Sequence, residues 1–283
     1  MGGRREGFTI VELLLVLVLG AFAMGAAVTT LVQQERAYGQ LRAMAGTQED
    51  TRTGIQFLTG ELLELSAAGG DLLVAAADSI RIRAPRKFGI VCSVNKTGKR
   101  LIVAQEGLDP FAPNDSIVVY EDRDTLMAAD DVWQRELVTA VSTSPLCVTT
   151  LGINLAGLLP GSQLVELTLQ GSGLRFDSVY PGAPVRQYQT VTYATGVING
   201  ETLLTMRRDG GGRIPLVGPL ASTSGLVFRY FDATGTELTS VPLSAADRVA
   251  VHRIQVAIRA ERWGDAKSRM HRDSVITDIF IRG

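Results

Sequence analysis

Histidine is nearly absent, with only His252 and His271 among 283 residues. Neither stands at metal-ligand spacing from a cysteine or from the other, so both are expected to be solvated or edge histidines and no metal site is assigned. No Gly-x-Ser-x-Gly elbow occurs, and Gly171-Ser172-Gly173 reads as a turn. Gly210-Gly211-Gly212 follows Arg207-Arg208-Asp209 but lacks the Lys-Ser/Thr of a phosphate loop. Charge of one sign is missing too: 28 basic against 29 acidic residues leave a net charge of −1. The basic residues are scattered, so nucleic acid is not an expected partner. There is no internal repeat and no low-complexity tract. An enzyme is therefore not expected, nor a cofactor.

Cysteine is scarce as well. Cys92 and Cys147 lie far beyond the N-terminal apolar run. If that part of the chain is exported they are free to form a disulfide; otherwise they are two separate buried thiols. Asp122, Asp124, Asp130 and Asp131 form an acidic cluster. An EF-hand counted from Asp122 would need glycine and glutamate where Met127 and Trp133 stand. A solvated loop is the expectation, with a loose calcium site as the other reading. Trp133 and Trp263 are expected to pack, Trp263 at a strand end where it could form a rim contact.

What the chain does have is concentrated at its start. Residues 1–7 are short, polar and carry Arg4 and Arg5. From Phe8 to Val32 the chain is apolar except for one ionisable residue, Glu12. As a helix that run spans about 38 Å, more than a hydrocarbon core of about 30 Å. It is too long for the apolar region of an ordinary secretory signal. The preceding arginines hold the leader in the cytoplasm and send the rest outward. A plain membrane anchor leaves Glu12 unexplained, because a carboxylate at membrane depth needs a partner. Cleavage between Gly7 and Phe8 would create a cation, the α-amino group of Phe8, one turn from Glu12.

The segment Gly7-Phe8-Thr9-Ile10-Val11-Glu12-Leu13-Leu14 resembles the type IV prepilin cleavage and methylation motif. Glu6 stands where that family often has a basic residue. The resemblance implies that a prepilin peptidase cuts after Gly7 and methylates Phe8. It implies that Glu12 aligns the subunit against a neighbour during assembly. The partners implied are that peptidase, other pilins or pseudopilins through the N-terminal helix, and an inner-membrane assembly platform. The location implied is the bacterial inner membrane with the head outside the cytoplasm, then a periplasmic pseudopilus or an extracellular pilus.

Beyond the apolar run, Leu31, Tyr38, Leu41, Ala45, Ile55, Leu58, Leu62 and Leu65 recur at helical spacing and predict one buried stripe. Gly69-Gly70 is a stop signal. The expected helix runs from about Phe8 to Ala68, membrane-inserting over 8–32 and amphipathic over 33–69. Gly20 and Gly25 are read as aids to close helix packing. From residue 70 to 283 the period changes to two. Expected strands are Ser79–Ala84, Phe88–Val94, Arg100–Gln105, Ser116–Glu121, Cys147–Leu151, Gln163–Gln170, Gln187–Val197, Glu201–Arg207, Leu226–Asp232, Arg253–Arg262 and Ser274–Ile281. Asn199-Gly200 is the strongest hairpin signal. The fold class expected is α+β: a long hydrophobic helix, then an antiparallel β-rich head, with a boundary between two lobes at 152–161.

The order of elements from Thr190 to Ile258, with Leu203–Arg207, Leu226–Asp232 and Val249–Ile258 in succession, is similar to the W-type minor pilins of type IV pili and the J-type pseudopilins of type II secretion. Three functions follow as expectations. The first is a minor pilin acting in filament initiation or at the tip. The others are a minor pseudopilin, and a tip module that binds a surface or DNA.

Overall fold

The apolar run and the stripe after it form one continuous helix in the computed structural model, which describes residues 9–106, 109–124, 126–127, 131–143, 147, 163–264 and 269–282. Helix α1 covers Ile10–Leu63, 54 residues. Thr9 is its N-cap and Glu12 completes a capping box. No atom would meet a Cβ placed at Gly20 or Gly25, and the helix passes through both. It ends earlier than its sequence suggests. The C-terminal residues reach back to Ser66: Ala67 N donates to Arg282 O at 3.0 Å and Arg282 N to Leu65 O at 3.0 Å. Gly70 then turns the chain at φ +74°.

The strands that follow are β1 (Leu72–Ala75), β2 (Ser79–Asn95), β3 (Arg100–Glu106), β4 (Ser116–Glu121), β5 (Val132–Thr143), β6 (Gln163–Leu169), β7 (Pro184–Ile198), β8 (Glu201–Arg208), β9 (Arg213–Val217), β10 (Leu226–Phe231), β11 (Arg253–Trp263) and β12 (Met270–Phe280). A short helix α2 (Ala245–Val249) lies between β10 and β11. All the strand ladders are antiparallel, giving the expected α+β class. The strand expected at Cys147–Leu151 and the boundary at 152–161 lie outside the described residues, Cys147 excepted.

Strands β2, β3, β6, β5, β4 and β7 pair in that cyclic order, and β7 returns to β2, so six strands close into a barrel. Closure leaves these strands no free edge within the barrel. Its interior holds Val91, Leu101, Val103, Ile117, Val119 and Val138, among others. Two of its members are long enough to serve a second core. Ile80 and Ile82 of β2, with Val191 and Tyr193 of β7, pack with Leu58 and Leu62 of α1 and with β8, β10 and β11. Strands β10, β11 and β12 form a separate three-stranded sheet in that second core.

The break expected between Ala84 and Phe88 is a bulge, not a gap. Tyr188 pairs with Pro85 and Gln187 with Lys87, leaving Arg86 as the extra residue. Buried positions on β2 switch there from Ile80, Ile82 and Ala84 to Gly89 and Val91. One inserted residue moves every later side chain to the other face, which lets one strand serve both cores. Asn199-Gly200 forms the expected hairpin, with φ +53° and +81° and Ile198 opposite Glu201.

Cys92 and Cys147 are bonded, with Cα atoms 5.3 Å apart and both residues buried. They sit with Ala104 on the outer side of the barrel wall. The bond spans 55 residues, which corresponds to about 4 kcal/mol in the chain-entropy view. Cys147→Ser is expected to lower the denaturation midpoint accordingly. A thiol-reactive reagent should label the native wild type only after reduction. Labelling without reductant would refute the bond.

Candidate functional site

Two regions bear on function: the free arm of α1 and the surface where α1 meets the head. Between Ile10 and Tyr38 no residue of α1 is buried; Gly39 is the first. These 29 residues project about 43 Å from the head. Within the arm the Glu12 carboxylate accepts from Thr9 N and Thr9 Oγ1, each at 3.1 Å, and Thr9 Oγ1 accepts from Glu12 N at 3.3 Å. Gly7 and Phe8, the expected cleavage and methylation positions, lie outside the described residues. Glu12 therefore stands in the first turn, three residues past the helix N-cap.

The head-facing stripe differs from the expected one. Its buried residues are Gly39, Ala43, Thr47, Thr51, Gly54, Leu58 and Leu62. Of the predicted set, Ile55, Leu58, Leu62 and Leu65 contribute, but Leu31, Tyr38, Leu41 and Ala45 are exposed. Small side chains win because β11 approaches closely. A Cβ on Gly54 would lie 2.7 Å from Ile258 Cδ1, and the Arg262 side chain passes 3.2 Å from a Cβ on Gly46. Arg262 then donates to Asp50 at 2.9 Å and to Gly218 O at 3.1 Å. Further along, Arg86 grips Glu61 through two bonds of 2.8 and 2.7 Å. Both ion pairs tie α1 to the head, and neither partner was legible from helical periodicity.

The expected polar candidates are not brought together. His252 is exposed beside the first pair of the β11–β12 ladder, and His271 faces Arg262 near its other end. Nine residues of strand, about 30 Å, separate them. Asp131 accepts from the Tyr120 hydroxyl and Asp124 accepts from Leu126 N at 3.0 Å. Asp130 lies outside the described residues. Among the described residues no group of three His, Cys, Asp or Glu could hold a metal. Both tryptophans are partly exposed, Trp133 packed on its neighbours and Trp263 at the end of β11. Trp133 is 43% exposed, edge-on to Tyr120 and under the Arg186 guanidinium, and Trp263 is 54% exposed.

A feature the sequence did not announce is a carboxylate enclosed by backbone. Glu136, almost fully buried, accepts from four consecutive N–H groups: Gly171 at 2.9 Å, Ser172 at 3.3 Å, Gly173 at 2.8 Å and Leu174 at 2.8 Å. Arg175 N donates to Glu121, also buried, at 2.6 Å. The Gly171-Ser172-Gly173 turn is thus a wrapping around a barrel glutamate, with Gly171 at φ +68°. Its role is structural: it closes the barrel end.

No protein-family model, curated protein or solved structure matches this chain. The fold and the arm define an α+β protein with a β-rich head. Among the described residues it has one helix long and apolar enough to cross a membrane.

Proposed function

We propose that this protein is a minor pilin of a type IV pilus, a non-enzymatic filament subunit that acts in initiation or at the tip. The observation that carries the reading is the division of α1. Its first 29 residues are uncovered, and those up to Val32 are apolar with Glu12 as the single acid, whereas from Gly39 onward one face is locked to the head. An uncovered apolar arm of this length needs lipid before assembly and neighbouring helices after it. The basic leader and the Gly7-Phe8 junction supply the processing site. Prepilin peptidase removes residues 1–7 and methylates Phe8. A neighbour's new amine then pairs with Glu12. The subunit waits in the inner membrane with its head outside, where a disulfide can form.

A minor pseudopilin of type II secretion is the second reading, favoured by the same arm and by the order of strands from β7 to β11. Mass spectrometry of the mature N-terminus tests the premise shared by both. A chain beginning at methylated Phe8 supports it; retention of Met1, or a cut near Ala27, refutes it. Gly7→Ala is expected to strand the precursor in the membrane, seen as a slower-migrating band on immunoblots. Normal maturation of that variant would move the cut site elsewhere.

A further inference from the structure

A trough crosses the head where α1 ends. It consists of three adjoining hollows of about 400, 160 and 500 Å³. Glu64, Arg186 and Arg282 line both the first and the central one. Arg83, Val118, Arg135 and Tyr188 line both the central one and the third. Residues from β2, β4, β5 and β7 thus meet the C-terminal strap at one place.

The charge there is unbalanced. The central hollow is lined by Arg83, Arg135, Arg186 and Arg282 against Glu64 and Asp71, four positive charges to two negative. Asp71 is buried and paired with Arg83 at 3.6 Å. Arg186 lies over the Trp133 ring at 5.0 Å. Among the described residues Arg135, Arg186 and Arg282 have no carboxylate partner. Four other cations of the head are matched: Arg86 with Glu61, Lys87 with Asp115, Arg253 with Asp278, Arg262 with Asp50. Burial raises the Asp71 carboxyl, and Arg83, Arg135 and Arg186 each act to lower it. Burial also lowers Arg83, and Arg135 adds to that as a like charge. Arg83 and Arg135 are therefore close enough to repel one another, a cost that a bound anion would remove.

We propose that this trough binds a dianionic phosphate group, held by Arg135, Arg186 and Arg282. Guanidinium forks match phosphate oxygens in pairs. A phosphate monoester carries about −1.5 to −2 at neutral pH, which offsets the excess of two positive charges. Two successive phosphodiesters of a nucleic-acid strand carry the same charge, and the half-exposed Trp133 edge is available to such a strand. The bilayer that holds the N-terminal arm is not the source. Along α1, Leu63 lies 31 residues beyond Val32, about 47 Å. The inference concerns the head alone, so its failure leaves the reading of Glu12 and Phe8 untouched.

The test titrates the full-length, detergent-solubilised protein with inorganic phosphate and, separately, with a ten-residue oligothymidylate, by calorimetry at constant ionic strength. Saturable binding is expected, and R135A/R282A should weaken it about tenfold or more. Both side chains are exposed, so circular dichroism of that variant should match the wild type. R186K should weaken binding less than R186A, because a lysine keeps the charge and loses the fork. Oligothymidylate binding about tenfold tighter than phosphate would identify a strand as the source; comparable affinity would identify a small phosphorylated molecule. Absence of saturable binding of both up to about 10 mM, or equal affinity in wild type and R135A/R282A, would overturn the proposal.

Discussion

Glu136→Ala is expected to destabilise the head by about 4 kcal/mol, as much as loss of the Cys92–Cys147 bond. The barrel's end depends on this carboxylate, because the N–H groups of residues 171–174 all point at it. Hydrogen bonds to a charged acceptor contribute more than neutral ones, and donors left buried without a partner cost about 1–3 kcal/mol each. Water entering the vacated space recovers part of that sum, which is why the expected loss is below the total. Glu136→Gln should cost less, since one acceptor oxygen remains, yet its amide would present hydrogens to two donors. Urea unfolding followed by circular dichroism gives the magnitude, and hydrogen exchange gives the place. Residues 171–175 should lose protection first, whereas β10 to β12 belong to the other core and should keep theirs. A variant as stable as the wild type, with these amides still protected, would show that the turn holds itself.

Glu12→Ala is expected to leave membrane insertion intact and to reduce incorporation into sheared filaments at least roughly tenfold. Two roles of this residue must be separated. Its carboxylate caps the helix by accepting from Thr9, and in the proposed assembly it meets the amine of a neighbouring subunit. Glu12→Gln keeps an acceptor for Thr9 and removes the charge. If pairing with an amine drives incorporation, Gln and Ala should fail alike. Rescue by Gln would assign the defect to the cap and would remove the electrostatic part of the proposal. Quantitative immunoblots of membrane and sheared fractions distinguish these outcomes.

The arm of α1 was readable from sequence because lipid-facing structure is governed by local composition. An apolar run with one acid needs no tertiary partner to be recognised, and the capping box of Thr9 and Glu12 is a three-residue pattern. Strands β6, β7, β8, β10, β11 and β12 were equally legible, since alternation and the Asn199-Gly200 turn are local signals. Strands β1 and β9, of four and five residues, were missed, and so was β5. In Val132–Thr143 burial alternates only in part, because the strand carries Trp133 and Arg135 on its outer face and the charged Glu136 inward. A buried glutamate breaks the polarity pattern on which the reading relied.

Periodicity alone assigned the lower helix a stripe of large side chains, and the structure uses Gly39, Ala43, Thr47, Thr51 and Gly54 instead. Which face of a helix is buried depends on how near the opposing strand comes, and that distance is a property of the assembled head. The cysteine bond was foreseeable as a conditional statement; its site on the outer wall of the barrel was not.

The sequence by itself determined the membrane-length apolar run, its lone acid, the α+β class and most strand positions, because each follows from residue type and short-range spacing. Only the tertiary structure decided that β2 and β7 run through two cores, that six strands close on themselves, that Glu136 is enclosed by a turn from residues 171–174, and that four arginines line one hollow with Asp71. Those arrangements join residues up to about two hundred positions apart, and their geometry comes from closing the sheet.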